Sequence, residues 1–300
     1  GTILDNEAYG RGNSTYFPDR VSPMLPEHLS ADVCSLKEGE LRETLAVEMF
    51  FNSSGVKTKH RFIRGKMRSA AKLSYRQAQD AIDARPDDKT GPLLESVLKP
   101  LWDSYWTVDK ARKTRAPLDL DLPERRVRIG PDGKIASITL RERFDAHRLI
   151  EEFMIQANVC AAETLEAKRT PLVYRVHEEP SEEKVNSLSN FLPTIGHKWT
   201  KGEKITGSRF NKLLADVKDS ENEHLVNEMV LRTQAQARYA HENLGHFGLN
   251  LLKYAHFTSP IRRYSDLIVH RALIRALGLG PDGATDQDMV RLEEMAEHVT

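Results

Sequence analysis

Arg262 and Arg263 stand in a segment whose pattern predicts the first turn of a helix. Ser259 is a favourable N-cap residue, and Pro260 suits the first helical position. Two cations at this end oppose the helix dipole, whose partial positive charge favours acidic groups there. Free backbone N–H groups and two planar guanidinium groups would together bind an anion such as phosphate. The alternative is that both arginines form ion pairs with carboxylates elsewhere in the fold.

The segment around these arginines resembles a signature of the RNB family of 3′-to-5′ exoribonucleases, and it is closer to the ribonuclease R type than to ribonuclease II. Further blocks that resemble the family follow the same order along the chain. The matching blocks are residues 16–21 with 23–26, residues 34–36, residues 145–158, and residues 245–249 with 254–271. The resemblance covers nearly the whole chain and is weakest at residues 80–106 and 181–219.

The resemblance implies a fold and a reaction. The fold is the α+β catalytic domain of the family, with mixed and antiparallel strands surrounded by helices and a channel for single-stranded RNA. The reaction is processive, magnesium-dependent hydrolysis from the 3′ end, which releases nucleoside 5′-monophosphates. We expect residues 1–300 to form one such domain, incomplete at both ends, without the cold-shock and S1 domains that are usual in the family.

The aspartate cluster that holds magnesium in the family, of the form D-x₅-D-x-D-D, has no match in this sequence. Asp119-Leu120-Asp121 lacks the further aspartates, and Asp87-Asp88 stands in a polar loop, so both indicate surface charges. In the family the cluster precedes the block that contains Tyr16. We therefore expect no metal ligands in this chain, magnesium in the parent enzyme, and no hydrolysis by the chain alone.

The resemblance also implies roles for individual residues. Arg262 would contact the scissile phosphate and stabilise the charge that develops on it, whereas Arg263 would anchor the structure or bind a neighbouring phosphate. Tyr16 would stack on the terminal base, and Tyr75 would be a second RNA contact with weaker support. For both tyrosines the alternative is a place in the hydrophobic core.

The pattern from Asp145 predicts an interior helix, because apolar residues occur on more than one of its sides. Glu151 and Glu152 then lie in or beside buried surface, and each needs a partner. An ion pair with Arg143 or Arg148 is one possibility for Glu151. The resemblance favours a contact between Glu152 and the ribose of a bound nucleotide.

His256 and His270 raise the possibility of general-base catalysis, but metal-bound water is the nucleophile in the implied mechanism. We therefore expect structural roles for both. Two other functions stay open: a non-catalytic RNA-binding member of the family that has lost its metal aspartates, and an enzyme that uses Arg262 and Arg263 for a small phosphorylated metabolite.

Composition indicates a globular protein, with 39% hydrophobic and 29% charged residues. The 44 basic residues balance the 44 acidic ones, which argues against a protein coated in nucleic acid but allows a narrow basic channel. The sequence contains no membrane span and no secretion signal, so we expect a cytoplasmic protein. We also expect a monomer. Cys34 and Cys160 are predicted to be buried thiols.

Hydrophobic periodicity and turn residues predict two hairpins and eight helices. The predicted strand pairs are 40–51 with 56–64 and 125–129 with 135–140. The predicted helices are 75–84, 92–113, 145–168, 181–194, 209–217, 222–240, 260–277 and 286–299. Residues 197–206 are predicted to form a mobile surface loop.

Overall fold

The computed structural model describes residues 2–120, 122, 124–200 and 202–300. Among these residues the helices are α1 (Ile3–Arg11), α2 (Tyr75–Ile82), α3 (Gly91–Leu93), α4 (Lys99–Arg115), α5 (Asp145–Ala167), α6 (Glu182–Phe191), α7 (Gly207–Val217), α8 (Glu223–Thr233), α9 (Tyr264–Leu277), α10 (Asp286–Val290) and α11 (Leu292–His298). The strands are β1 (Thr15–Tyr16), β2 (Val21–Ser22), β3 (Leu41–Phe51), β4 (Lys57–Arg68), β5 (Arg125–Ile129), β6 (Ile135–Leu140), β7 (Tyr174–Val176) and β8 (Arg238–Ala240). Asp121 and Lys201, which belong to two of the predicted features, lie outside the described residues.

The strands pair in four antiparallel two-stranded sheets, β1–β2, β3–β4, β5–β6 and β7–β8. Both predicted hairpins are present, and the predicted α+β class is confirmed. In the turn between β3 and β4, Gly55 has φ 77°, and a Cβ there would lie 2.0 Å from the carbonyl oxygen of Thr107. Only glycine fits that close approach of the hairpin to α4.

Helix α5 lies at the centre of the fold, as its apolar pattern predicts. Its Ala161, Ala162 and Leu165 are fully buried against β7, β8 and α9. Nearer its start, Ala146 and Leu149 pack on residues of α2 and α4. Because α5 is covered on several sides, the groups that it carries are held in a rigid frame.

The two ends of the described chain pack together. Ala8 of α1, Tyr264 of α9 and Met295 of α11 share one buried cluster. Strands β7 and β8 pair although the helices α6, α7 and α8 stand between them in the chain. These long-range contacts bring residues from four distant parts of the sequence beside the start of α9.

Several predicted elements differ from the structure. Helix α9 begins at Tyr264 rather than at residue 260, because residues 259–263 form a turn in which the N–H groups of Arg262 and Arg263 donate to the Ser259 carbonyl. The predicted helix 222–240 ends at Thr233, since Gln234 is extended and residues 238–240 pair with β7 instead. The predicted helix 286–299 is interrupted at Arg291 between α10 and α11.

Both cysteines are free thiols, but only Cys160 is buried. The prediction that Cys34 is buried was wrong, because Cys34 follows a π-helical segment, His28–Val33, that has no buried residue. No helix in the described part of the chain is both long enough and apolar enough to span a bilayer.

Candidate functional site

A cleft of about 350 Å³ opens beside the turn that precedes α9. Its walls include Tyr16 of β1, Arg175 of β7, Tyr239 of β8, the adjacent Arg262 and Arg263, and Ser265 of α9. We call it the arginine cleft. It brings together three of the residues singled out in the sequence, Tyr16, Arg262 and Arg263, although about 250 positions separate the first from the other two.

Arg263 is committed to an ion pair inside the protein. Its Nε and Nη2 donate to the two carboxylate oxygens of Asp266, each at 2.8 Å, and Asp266 is completely buried. Burial lowers the pKa of Arg263, but the hydrogen bonds and charge of Asp266 outweigh it, so the pKa is raised overall. The ion-pair alternative therefore holds for Arg263, and Asp266 supplies the acidic group in the first turn of α9.

Arg262 has a different environment from its neighbour. Its side chain is exposed, and its guanidinium is 3.5 Å from the Ser259 hydroxyl, at the outer limit of a hydrogen bond. Its backbone carbonyl accepts from the Ser14 N–H at 2.9 Å, which fixes the residue beside β1. Among the described residues no carboxylate pairs with it. Arg262 is therefore free to bind an anion in the cleft.

Asn158 of α5 holds the segment that leads into the turn carrying Arg262. The buried Asn158 Oδ1 accepts from the N–H groups of Phe257 and Thr258 at 2.8 and 3.3 Å, and its amide donates to the Tyr254 hydroxyl at 3.0 Å. From the other side, Asp266 accepts from the Ser259 N–H at 2.7 Å. No role for Asn158 was predicted from the sequence, although Asn158 stands in a block that resembles the family.

Tyr16 projects into the cleft from the short hairpin β1–β2 and is 60% exposed. The alternative of a core tyrosine is therefore wrong, and its ring is available for stacking. Tyr75 is 41% exposed at the start of α2, where its ring stacks on that of His147 at 3.9 Å between centroids. Tyr75 does not line the arginine cleft, and its contact with RNA stays a prediction.

Glu152 is buried and lies away from the arginine cleft. Its two oxygens accept from Nη1 and Nη2 of Arg115, each at 3.1 Å, and the Gln156 amide donates at 2.8 Å. A contact between Glu152 and a ribose stays a prediction. Glu151 is exposed and pairs with Arg143 at 2.7 Å, one of the two partners named from the sequence.

His256 and His270 have protein partners, in agreement with structural roles. His256 Nδ1 is 2.8 Å from the Tyr239 hydroxyl, and His270 Nε2 is 2.8 Å from the Phe257 carbonyl oxygen. Burial and then the positive charge of Arg263 lower the pKa of His256 to about 3. His256 is therefore neutral at physiological pH and adds no charge behind the cleft.

The residues described by the structure do not fit a magnesium site. No three or more of their His, Cys, Asp and Glu side chains converge in a way that could hold a metal ion. Asp266, beside the cleft, has both oxygens engaged by Arg263, Ser259 and Ser265. What the cleft presents is the exposed ring of Tyr16 and the guanidinium of Arg262, which pairs with no described carboxylate.

Arg175 and Tyr239 are cleft residues that the sequence did not single out. The Arg175 guanidinium lies 4.8 Å from the centre of the Tyr239 ring. Their strands are three residues long and join across three helices, so no local pattern marks them. The short apolar run before Arg175, residues 172–174, was the one available signal of a strand.

Comparisons with known proteins show the family and the fold of this chain. Ribonuclease R of Aquifex aeolicus (strain VF5) is 42% identical to this chain, over 100% of the chain and 43% of the relative. Ribonuclease R of Escherichia coli (strain K12) is 39% identical, over 91% of the chain and 34% of the relative. The solved structure described as Mycoplasma genitalium RNase R in complex with ribose methylated single-stranded RNA superposes with a TM-score of 0.93 at 29% identity, covering 100% of this chain and 47% of that one.

The chain thus spans less than half the length of these relatives. A family model described as RNB domain matches residues 1–278. This range includes every residue that lines the arginine cleft except Val299 and Thr300. The chain belongs to the RNB domain family.

Proposed function

We propose that this chain is the catalytic-domain portion of a 3′-to-5′ exoribonuclease that degrades single-stranded RNA to nucleoside 5′-monophosphates, and that the arginine cleft receives the 3′ end of the RNA. One observation carries the proposal: an exposed aromatic ring, Tyr16, and an arginine without a carboxylate partner, Arg262, line the same cleft. The Ribonuclease R relatives and the family membership support it.

The chemistry of the two side chains suits this ligand. A tyrosine ring stacks on any base, so contact with Tyr16 gives affinity of about 1–3 kcal/mol without sequence selectivity. The planar guanidinium of Arg262 can donate two parallel hydrogen bonds to phosphate oxygens. These bonds strengthen as negative charge grows on the phosphate during attack by water, so Arg262 would lower the barrier as well as bind.

The RNB nucleases are generally metal-dependent, and we propose that magnesium serves the whole enzyme. The described residues provide no set of ligands for magnesium. The roles proposed for Tyr16 and Arg262 therefore do not involve a metal ion. Hydrolysis by the chain alone is not expected, as the sequence also indicates. The predicted cytoplasmic location and the predicted monomer stay predictions.

The proposal is tested by binding of the 300-residue chain to a labelled single-stranded RNA with a free 3′ hydroxyl and to a circular RNA of the same sequence. We expect the linear RNA to bind more tightly, since only it has an end to insert. Tyr16→Ala should remove most of that preference. Its matched control is Phe17→Ala, because Phe17 is 45% exposed in the same hairpin but does not line the cleft.

Equal affinity for both RNAs would contradict the proposal. An enzyme for a small phosphorylated metabolite would instead bind adenosine monophosphate as tightly as the linear RNA. A non-catalytic RNA-binding protein would bind the linear RNA as we propose, but a longer form of the protein would release no 5′-monophosphates.

A further inference from the structure

The arginine cleft contains a second cation that the proposed function does not use. Of its three arginines, only Arg263 has a carboxylate partner among the described residues. Arg175 is half-buried, and the contact of its guanidinium is with the face of the Tyr239 ring at 4.8 Å. A cation–π contact orients a guanidinium but leaves its N–H groups available.

The backbone of Arg175 is held in place by β8 and by Tyr254. Its backbone N–H donates to the Tyr254 carbonyl at 3.0 Å, and β7 pairs it directly with Tyr239 of β8. The Tyr239 hydroxyl is in turn hydrogen-bonded to His256 at 2.8 Å. The guanidinium therefore rests on a ring that is itself held in place, which reduces the entropy lost when it binds a ligand.

Arg175 and Arg262 reach the cleft from different elements of the fold. Arg262 is joined through its backbone to Ser14, next to Tyr16, whereas Arg175 lies over Tyr239 on the β7–β8 sheet. None of the described side chains that line the cleft is acidic, and the carboxylate of the nearby Asp266 is engaged by Arg263. Two guanidinium groups left without carboxylates in one cavity repel each other until anions enter.

We infer that Arg175 binds a second phosphate of the RNA, the one that links the next nucleotide along from the phosphate at Arg262. The cleft then recognises two successive phosphates, so it holds an RNA chain better than a single nucleoside monophosphate. This inference rests on the proposed function. It makes Arg175 a residue that distinguishes the polymer from its product.

The experiment measures binding of a short oligoadenylate and of adenosine monophosphate to the 300-residue chain over a series of salt concentrations. For single strands, each phosphate contact adds about 0.7 to the slope of log affinity against log salt. Arg175→Gln should lower the oligoadenylate slope by about that amount and leave binding of the monophosphate unchanged. Arg175→Lys, which keeps the charge, should retain the slope. Arg262→Gln should weaken binding of both ligands.

Arg238→Gln is the matched control, because Arg238 stands on β8 opposite Val176 and pairs with Glu178 outside the cleft. A second measurement uses the native chain and therefore does not depend on how a variant folds. It compares binding of the oligoadenylate with binding of an analogue in which one linkage is an uncharged methylphosphonate. With the native chain, neutralising the second linkage should weaken binding as much as Arg175→Gln does. In Arg175→Gln the same neutral linkage should cause no further loss.

An unchanged slope in folded Arg175→Gln, or insensitivity of the native chain to the neutral linkage, would overturn the inference and leave the proposed function standing. Equal losses for oligoadenylate and monophosphate would also overturn it, because Arg175 and Arg262 would then share one phosphate. If the native chain bound no oligoadenylate at any salt concentration, the proposed function itself would fail.

Discussion

Arg262 and Arg263 are adjacent in the chain and serve different purposes. Arg263 neutralises a carboxylate that has no contact with water, whereas Arg262 is exposed and pairs with no described carboxylate. Arg263 thus stabilises the start of α9, whereas Arg262 is the side chain that is available to a ligand. Their effects on folding and on binding should separate in the same way.

Replacing Arg263 by alanine should destabilise the fold on the order of 3 kcal/mol, since it leaves Asp266 buried without its cation. Arg262→Ala should change the free energy of unfolding by less than about 0.5 kcal/mol, because the residue is exposed and pairs weakly. Urea denaturation of both variants measures the difference. Similar values for the two would mean that the Arg263–Asp266 pair has little structural importance.

His256 should make stability depend on pH. Its folded pKa of about 3 is far below the ordinary value of 6.5, mainly because of burial, so the unfolded chain binds a proton there that the folded chain does not. Its contribution is fully present above pH 6.5 and is lost as the pH falls from 6.5 towards 3. Burial also lowers the pKa of His246 to about 3, so His246 changes the stability in the same direction.

The pH effect is tested with His256→Asn, which keeps an acceptor near the Tyr239 hydroxyl and cannot titrate. Between pH 6 and 4 the unfolding free energy of the variant should fall less steeply than that of the native chain. The two slopes should differ by up to about 1.4 kcal/mol per pH unit. Urea denaturation at several pH values provides the slopes. Identical slopes would show that His256 is protonated in the folded state as readily as in the unfolded state.

At the scale of elements, α5 and α9 together determine where the 257–262 segment lies. Asn158 of α5 accepts hydrogen bonds from two backbone N–H groups of this segment, and Asp266 of α9 accepts one from a third. Buried backbone donors need partners, so the segment cannot move without losing these bonds. The two helices thereby place Arg262 against β1.

Asn158→Leu should cost about 1–3 kcal/mol of stability, because it leaves buried backbone donors without an acceptor. It should also weaken RNA binding, since the turn that carries Arg262 loses its support. Tyr254→Phe is the control: it removes the hydroxyl that the Asn158 amide contacts and leaves both backbone bonds intact. RNA affinity that fell equally in both variants would contradict a positioning role for Asn158.

The sequence predicted the elements whose pattern is local and missed those that depend on distant contacts. The long α5 and both predicted hairpins were recognisable from periodicity and turn residues. Strand β8 was mistaken for the end of a helix because its partner β7 is more than sixty residues away. The helix-start signal at Ser259 and Pro260 misled because residues 259–263 form a separate turn and the helix begins only at Tyr264.

The candidate site was predicted in the same uneven way. Tyr16 and Arg262 were singled out through blocks that resemble a family, and the fold brings both to one cleft. Arg175 has no such signal, and its importance depends on the ring of Tyr239 beneath it. The pairing of Glu152 with Arg115 is likewise a tertiary contact that spacing along one helix does not reveal.

At the scale of the whole molecule, the arginine cleft is assembled from both ends of the described chain. Residues beside α1, strands β1, β7 and β8, the start of α9 and the end of α11 all contribute to its walls. The protein carries no net charge, yet the cleft contains two arginines without described carboxylate partners. Position rather than total charge would therefore make it the RNA site that we propose.

The most direct test places a photoreactive base, 4-thiouridine, at the 3′ terminus of a single-stranded RNA, binds it to the chain and identifies the attached peptide by mass spectrometry. An otherwise identical RNA with the base in the interior is the control. If the cleft receives the 3′ end, the terminal base should attach to the peptides that contain Tyr16 or Tyr239 and the interior base should attach elsewhere. Attachment of the terminal base mainly near Tyr75 or Arg115, with none at the cleft, would contradict it.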